Sequence, residues 1–267
     1  MMFRLLLILT ALAFNPVNYA FAYDRVVLLA PSAGDIFSKL GAQDKVVGVT
    51  RNNFDFPDAV KIGSHIKPNV ELIKSLNPDL IIISSNRFFT DQMSSLVNAD
   101  TLIYNPATLD EILLEIDKLG AILNRQSQAK QLTSELEAVK EQFVDIASPP
   151  TVVYEVTEAP FMIAGKKSIV RSIVEQAGGA LFAPSNRKIA KFNIESVLVN
   201  NPDYYIYQVG PMNKSPTPPP QRPQYSLVNS QFIKVDQLSF SRATTESFYH
   251  ALELNRLFAQ RRHADRK

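Results

Sequence analysis

The sequence predicts an α/β protein: two lobes, each with a mostly parallel sheet flanked by helices, bridged by one long α-helix. Three observations carry this. Apolar runs such as 25–30 and 80–83 alternate with segments of helical periodicity, as in sheets covered on both faces. One phrase is written twice. Asn69-Val70-Glu71, five residues, Asn77-Pro78-Asp79 and the run 80–83 are matched by Asn193-Ile194-Glu195, five residues, Asn201-Pro202-Asp203 and the run 204–207. Between the copies, residues 127–146 place Ala129, Leu132, Leu136, Val139, Phe143 and Ile146 on one helical stripe without Gly or Pro. At 1.5 Å per residue that helix would be about 30 Å long. The expected division is a leader at 1–22, a first lobe at 23–124, the bridging helix at 125–148 and a second lobe at 149–267.

In the first lobe, 25–30 reads as a buried strand, Pro31 and Ser32 turn the chain, and 35–40 is a short helix ended by Gly41. A second strand at 45–49 leads into 51–67, read as loop from its aromatic and polar residues, Pro57 and Gly63. Asn69 caps a helix through 76, with Glu71 in the first turn, where the helix dipole favours a carboxylate. Strands follow at 80–84 and 101–104, with a helix at 93–97 between them. Thr108 and Glu111 form a capping box opening a helix with Leu109, Ile112, Leu113, Ile116 and Leu119 on one face. A break near Asn124 precedes the bridge, which Pro149 and Pro150 end.

The second lobe restarts with a strand at 151–156, a loop at 161–165 and a helix at 168–177 stopped by Gly178-Gly179. Asn193 caps the helix bearing Glu195, and 204–208 is a strand. The proline-rich run 211–223 is expected to be an extended surface loop. A strand at 232–235 and a closing helix at 244–260 complete the chain.

Composition excludes several classes. A formal charge of +2 over 267 residues does not suit a dedicated nucleic-acid binder, and the basic run 256–267 reads as a solvated tail. Arg4, the apolar stretch 5–14 and Ala20-Phe21-Ala22 have the pattern of a cleaved signal peptide, too short to span a bilayer. With no cysteine, disulfides, thiol chemistry and a lipid-modified cysteine are all excluded. An exported, periplasmic, monomeric protein is the expectation. The three histidines, His65, His250 and His263, lack metal-ligand spacing. No G-x-S-x-G elbow is present. Gly165-Lys166-Lys167-Ser168 resembles the end of a phosphate loop, but its first glycine is replaced by the Pro160-Phe161 region. Neither a catalytic centre, a protein-held metal nor a cofactor is expected.

Binding chemistry is left to loops that α/β folds gather at strand ends. The first lobe offers Ser32, Arg51, Phe54, His65 and Arg87; the second offers Phe161, Lys188, Lys191 and Arg242. Aromatic and cationic groups together suit a bulky, partly flat, partly anionic ligand. Glu71 and Glu195 occupy matching first-turn positions in the two copies. Each supports its own helix, and together they form a pair of acidic knobs for a basic partner.

These stretches resemble the class III periplasmic solute-binding proteins of ABC importers for cobalamin, ferric siderophores and haem. The resemblance lies in R-V-V-L-L-A-P-S-A-G-D-I at 25–36, G-A-Q-D-K-V-V-G-V-T at 41–50, F-D-F-P-D at 54–58, I-G-S-H-I-K-P-N-V-E at 62–71, L-N-P-D-L-I-I at 76–82 and, in the second lobe, P-F-M-I-A-G-K-K-S, Q-A-G-G and N-I-E with N-P-D. It implies two α/β lobes around a rigid helix, a small-molecule ligand held between them, and Glu71 and Glu195 as docking residues for arginines of an ABC permease. Where haem binders of the family place a tyrosine ligand, this chain has Ser64. Where cobalamin binders carry a cleft tryptophan, it has His65, and it has no tryptophan at all. The cations lean toward an anionic ligand such as a ferric siderophore, so the expected cargo is an iron chelate or a cobalamin-like ligand, with a molybdate-like oxyanion as an alternative. A rival class is an exported enzyme using His65 as a base.

Overall fold

The computed structural model describes residues 23–264 apart from Phe54 and Leu227, with side chains described through Gln260. The expected leader at 1–22 and the cleft assignment of Phe54 lie outside the described residues.

Strands β1 (Val26–Leu28), β2 (Val46–Val49), β3 (Val60–Lys61), β4 (Leu80–Ile83) and β5 (Asp100–Ile103) form an all-parallel sheet in the order β3-β2-β1-β4-β5. Helices α1 (Ala33–Lys39), α2 (Val70–Ser75) and α3 (Asp91–Val97) connect the strands. β1 and β4 are buried throughout, so their unbroken apolar runs reflect cover on both faces.

Next come α4 (Leu109–Ile122) and α5 (Gln126–Lys140), packed side by side; a Cβ on Gly120 would sit 2.4 Å from that of Ala129. The expected capping box at the start of α4 forms in part: Glu111 donates its N–H to the N-cap Thr108 Oγ1, but its carboxylate accepts from Ala107 N, one residue before the cap.

The second sheet contains β6 (Thr151–Thr157), β7 (Met162–Ala164), β8 (Ala180–Leu181), β9 (Ile189–Lys191), β10 (Tyr204–Val209) and β11 (Gln231–Asp236). Its order is β11-β10-β6-β7-β9, with β8 also on β6. It is mixed: β7 runs antiparallel to both β6 and β9. Helices α6 (Ile169–Gln176), α7 (Ile194–Asn200), α8 (Gln237–Phe240) and α9 (Glu246–Ala264) flank it.

The repeated Asn-Pro-Asp phrase does one job twice. Asn77 (φ 46°) and Asn201 (φ 41°) take the left-handed conformation that ends α2 and α7, which Asn tolerates better than most residues. Two residues on, Asp79 accepts the N–H groups of Asp24 (2.8 Å) and Arg25 (3.0 Å), and Asp203 accepts Thr151 N (2.7 Å) and Oγ1 (2.9 Å). Each carboxylate thus ties the strand that follows its own helix to the first strand of its lobe, β4 to β1 and β10 to β6. Asp203→Ala removes charged acceptors from two donors and is expected to destabilise the protein by about 1–3 kcal/mol. A shift in denaturant midpoint at unchanged slope checks this.

The bridge differs in extent from its sequence pattern. α5 stops at Lys140, so its 15 residues span about 22 Å. Phe143 and Ile146 keep their inward positions, but the backbone between them is claimed by another element. Asn255 of α9 accepts from Val144 N (2.9 Å) and donates to Val144 O (2.8 Å). α4 runs beside α5 in the opposite sense, from Ser172 of α6, which accepts Leu109 N, back to Tyr23, which donates to Ile122 O.

One further expectation is corrected and another is refined. Residues 161–165 are not a loop, because β7 forms there and pairs with β9. The proline-rich run is largely exposed, as expected of a surface loop, but it is pinned by three buried residues, Asn213, Pro219 and Arg222, and ends in two short 3-10 turns.

Candidate functional site

A cleft of about 600 Å³ opens at the carboxyl ends of β1, β2, β4 and β5, facing β6, β10 and α8 across the gap. Its place follows from the turns: each parallel strand delivers the residues after it to the same rim. Ser32 follows β1, Arg51 follows β2, Arg87 and Phe88 follow β4, and Arg242 lies between α8 and α9. His65 comes from the loop after β3.

Of the expected binding residues, Ser32, Arg51, His65, Arg87 and Arg242 meet in this cleft, as does Lys188. Phe161 and Lys191 do not. Phe161 is half-buried against the cluster of Val153, Tyr205 and Tyr225 beneath the second sheet, and Lys191 is exposed at the end of β9, in register with Met162. Phe161 precedes β7 and shares its face with Ile163, which belongs to that cluster, while Lys191 shares the face of the cleft-lining Ile189 but lies two residues further along β9 and is exposed.

The electrostatics are one-sided. Arg51, Arg87, Lys188 and Arg242 line the cleft with His65, and among the described residues that line it there is no Asp or Glu. Phe88 sits between cations and imidazole: the Arg87 guanidinium carbon is 5.4 Å from its ring centroid, and His65 meets it edge-on at 6.1 Å. Partial burial, with the charge of Arg242 as a second cause, holds His65 below its ordinary value, so the imidazole is neutral at pH 7. Burial also lowers Arg242, against the attraction of Asp55 and Asp236. Among the described residues that line the cleft no carboxylate is placed to orient His65 as in a catalytic triad.

The floor is polar, and its two tyrosine hydroxyls are hydrogen-bonded. Tyr104 O–H donates to Ala243 O (2.9 Å), and Asp35 accepts Thr245 N (2.7 Å), so the first lobe holds the segment that carries Arg242. From the second lobe, the Tyr154 hydroxyl reaches Gln208 Oε1 (3.0 Å) and the Ser241 hydroxyl (2.7 Å). Both tyrosine hydroxyls are therefore engaged inside the protein, and burial pushes each above its ordinary value. Sequence reasoning missed Gln208 and Met212 as cleft residues. A buried Gln ending the strand Y-Y-I-Y-Q was the available signal for the first; nothing marked the second.

Glu71 and Glu195 stand apart from the cleft. Both are exposed, each in the first turn of a helix capped by an asparagine side chain, with Asn69 accepting Leu72 N and Asn193 accepting Glu195 N. Among the described residues no group of three or more His, Asp or Glu is placed to hold a metal, and no helix is long and apolar enough to cross a membrane.

A family profile described as periplasmic binding protein matches residues 26–243, which takes in both sheets and the cleft. The chain belongs to the periplasmic binding protein family. Among curated relatives of this periplasmic binding protein, the high-affinity heme uptake system protein IsdE of Staphylococcus aureus is 28% identical over 160 residues. That match covers 57% of this chain and 54% of IsdE, about half the relative's length. Among solved structures, S. aureus IsdE complexed with heme aligns with a TM-score of 0.75 at 22% identity, over 88% of this chain and 98% of the other. The periplasmic vitamin B12 binding protein BtuF of Vibrio cholerae aligns with a TM-score of 0.76 at 20% identity, over 90% and 98%. At such identities the structural likeness concerns the fold, two α/β lobes around a common cleft.

Proposed function

We propose that this periplasmic binding protein is the exported substrate-binding component of an ABC importer, working as a monomer, and that its cargo is an anionic iron chelate of the ferric siderophore class. One observation carries the reading: four cations and no carboxylate among the described residues lining a cleft of about 600 Å³. A ligand with net negative charge gains charge-assisted hydrogen bonds there, whereas a corrinoid rimmed with neutral amides leaves the cations unpaired. Many of the other lining groups are Ser, Asn and Gln, which suit a chelate's oxygen-rich surface. Glu71 and Glu195, one per lobe and clear of the cleft, are assigned to docking on basic residues of the membrane permease.

A second reading has its own observation. His65 and Met212 both line the cleft, and a neutral imidazole with a thioether can ligate haem iron, the ligand named for IsdE. Titration separates the two. The purified protein is expected to bind a ferric tris-catecholate saturably, more weakly as salt rises, and not to bind cyanocobalamin. A Soret band on adding haem, with no chelate binding, would move the assignment to haem. Tight binding of cobalamin would sink both.

A further inference from the structure

Six prolines fall between residues 211 and 223. Proline has no N–H, so this segment cannot join the sheet edge, and its anchoring falls to side chains. The anchors are several. Arg222 forks onto the carboxylate of Glu155 on β6, with Nη1 to Oε2 at 2.6 Å and Nη2 to Oε1 at 2.9 Å, both residues being buried. Its Nε donates to Thr217 O (2.6 Å), and Thr217 N donates to Glu158 (2.7 Å). At the other end, Gly210 and Asn213 exchange backbone hydrogen bonds, and Asn213 Nδ2 donates to Gln208 O (2.8 Å).

Met212 is at the tip of that turn, with its N–H given to Gln237 Oε1 (2.7 Å). It lines the cleft and is 48% exposed, a large apolar side chain in a lining that mixes Arg, Ser and Asn with apolar groups such as Phe88, Ile189 and Leu238.

We propose that Met212 is a specificity-determining residue: a pre-set apolar wall that packs against the ring-bearing periphery of the bound chelate. Gln237 and the Arg222–Glu155 fork are positioning groups that keep it there. This rests on the reading of the cleft as a site for an anionic iron chelate. A thioether is polarisable and gains contact with aromatic rings, and a wall already in position costs no ordering on binding.

The test compares two probes, a ferric tris-catecholate with aromatic arms and an aliphatic ferric trihydroxamate, each titrated into the wild type, Met212→Ala and Met212→Leu. Met212→Ala is expected to weaken the tris-catecholate about tenfold and the trihydroxamate less than about twofold, with Met212→Leu close to wild type. Gln237→Ala, which frees the Met212 backbone, should lose part of the same discrimination. Exposure of Met212 makes equal thermal midpoints the expected control. Equal losses for both probes, no loss for either, or a wild type that binds only the trihydroxamate would each overturn the proposal. A wild type that binds neither probe overturns the functional reading itself, and is seen before any variant is made.

Discussion

If Glu71 and Glu195 dock as proposed, reversing both, Glu71→Lys with Glu195→Lys, is expected to abolish ligand uptake in cells while changing the purified protein's affinity less than about twofold. Neither glutamate lines the cleft, and both are exposed, so the binding site loses no contact. The helices should survive the change. Asn69 and Asn193 keep capping α2 and α7 whatever follows them, and a cation in the first turn costs each helix only about 0.3–1 kcal/mol against its dipole. A basic partner, by contrast, would meet repulsion at two points, one on each lobe. Each single reversal should give an intermediate defect, because one lobe still docks. Uptake that persists in the double variant, with the protein exported and folded, would remove these residues from the docking role.

What could be read from the sequence, and what could not, divides along physical lines. The repeated Asn-x-Glu and Asn-Pro-Asp phrases announced two similar lobes because each residue acts locally: a cap, a left-handed helix stop, a clamp on the neighbouring strand. Four cations in the cleft were named because the turns after parallel strands must converge. The failures were non-local. Phe161 was misplaced with the supposed loop 161–165, where β7 pairs antiparallel with a segment nearly thirty residues away, which no short-range pattern reports. Beyond the end of α5, the backbone at Val144 is held by Asn255, more than a hundred residues downstream. The proline-rich run looked solvent-exposed by composition. Most of it is, but one buried fork between Arg222 and Glu155 pins it to the second lobe, a partnership invisible until β6 and the run are brought together.

That fork carries the largest expected effect on stability. Glu155 has no solvent exposure, and its carboxylate receives the Arg222 fork and the Tyr205 hydroxyl (2.6 Å). Tyr205 in turn contacts the Tyr225 hydroxyl at 2.6 Å, and the Arg222 guanidinium carbon lies 5.4 Å from the Tyr225 ring centroid. Burial pushes Tyr225 up to about 12, so its hydroxyl stays protonated at neutral pH. Burial alone would lower Arg222, but hydrogen bonding and attraction from Glu155 outweigh it and raise the net value. Arg222→Ala leaves a buried carboxylate without its counter-charge, a change expected to cost about 3–5 kcal/mol. Replacing both partners with apolar groups, Arg222→Met with Glu155→Leu, removes the charge and the counter-charge together and should cost clearly less than the sum of the single changes. Chemical denaturation of the two single variants and the double measures that coupling. If Arg222→Ala were as stable as wild type, the fork would be a contact without energetic weight, and the proline-rich segment would have to be held by Asn213 and Thr217 alone. If the double variant is stable but loses discrimination between the two ferric probes, the buried pair matters for where Met212 sits rather than for whether the lobe folds.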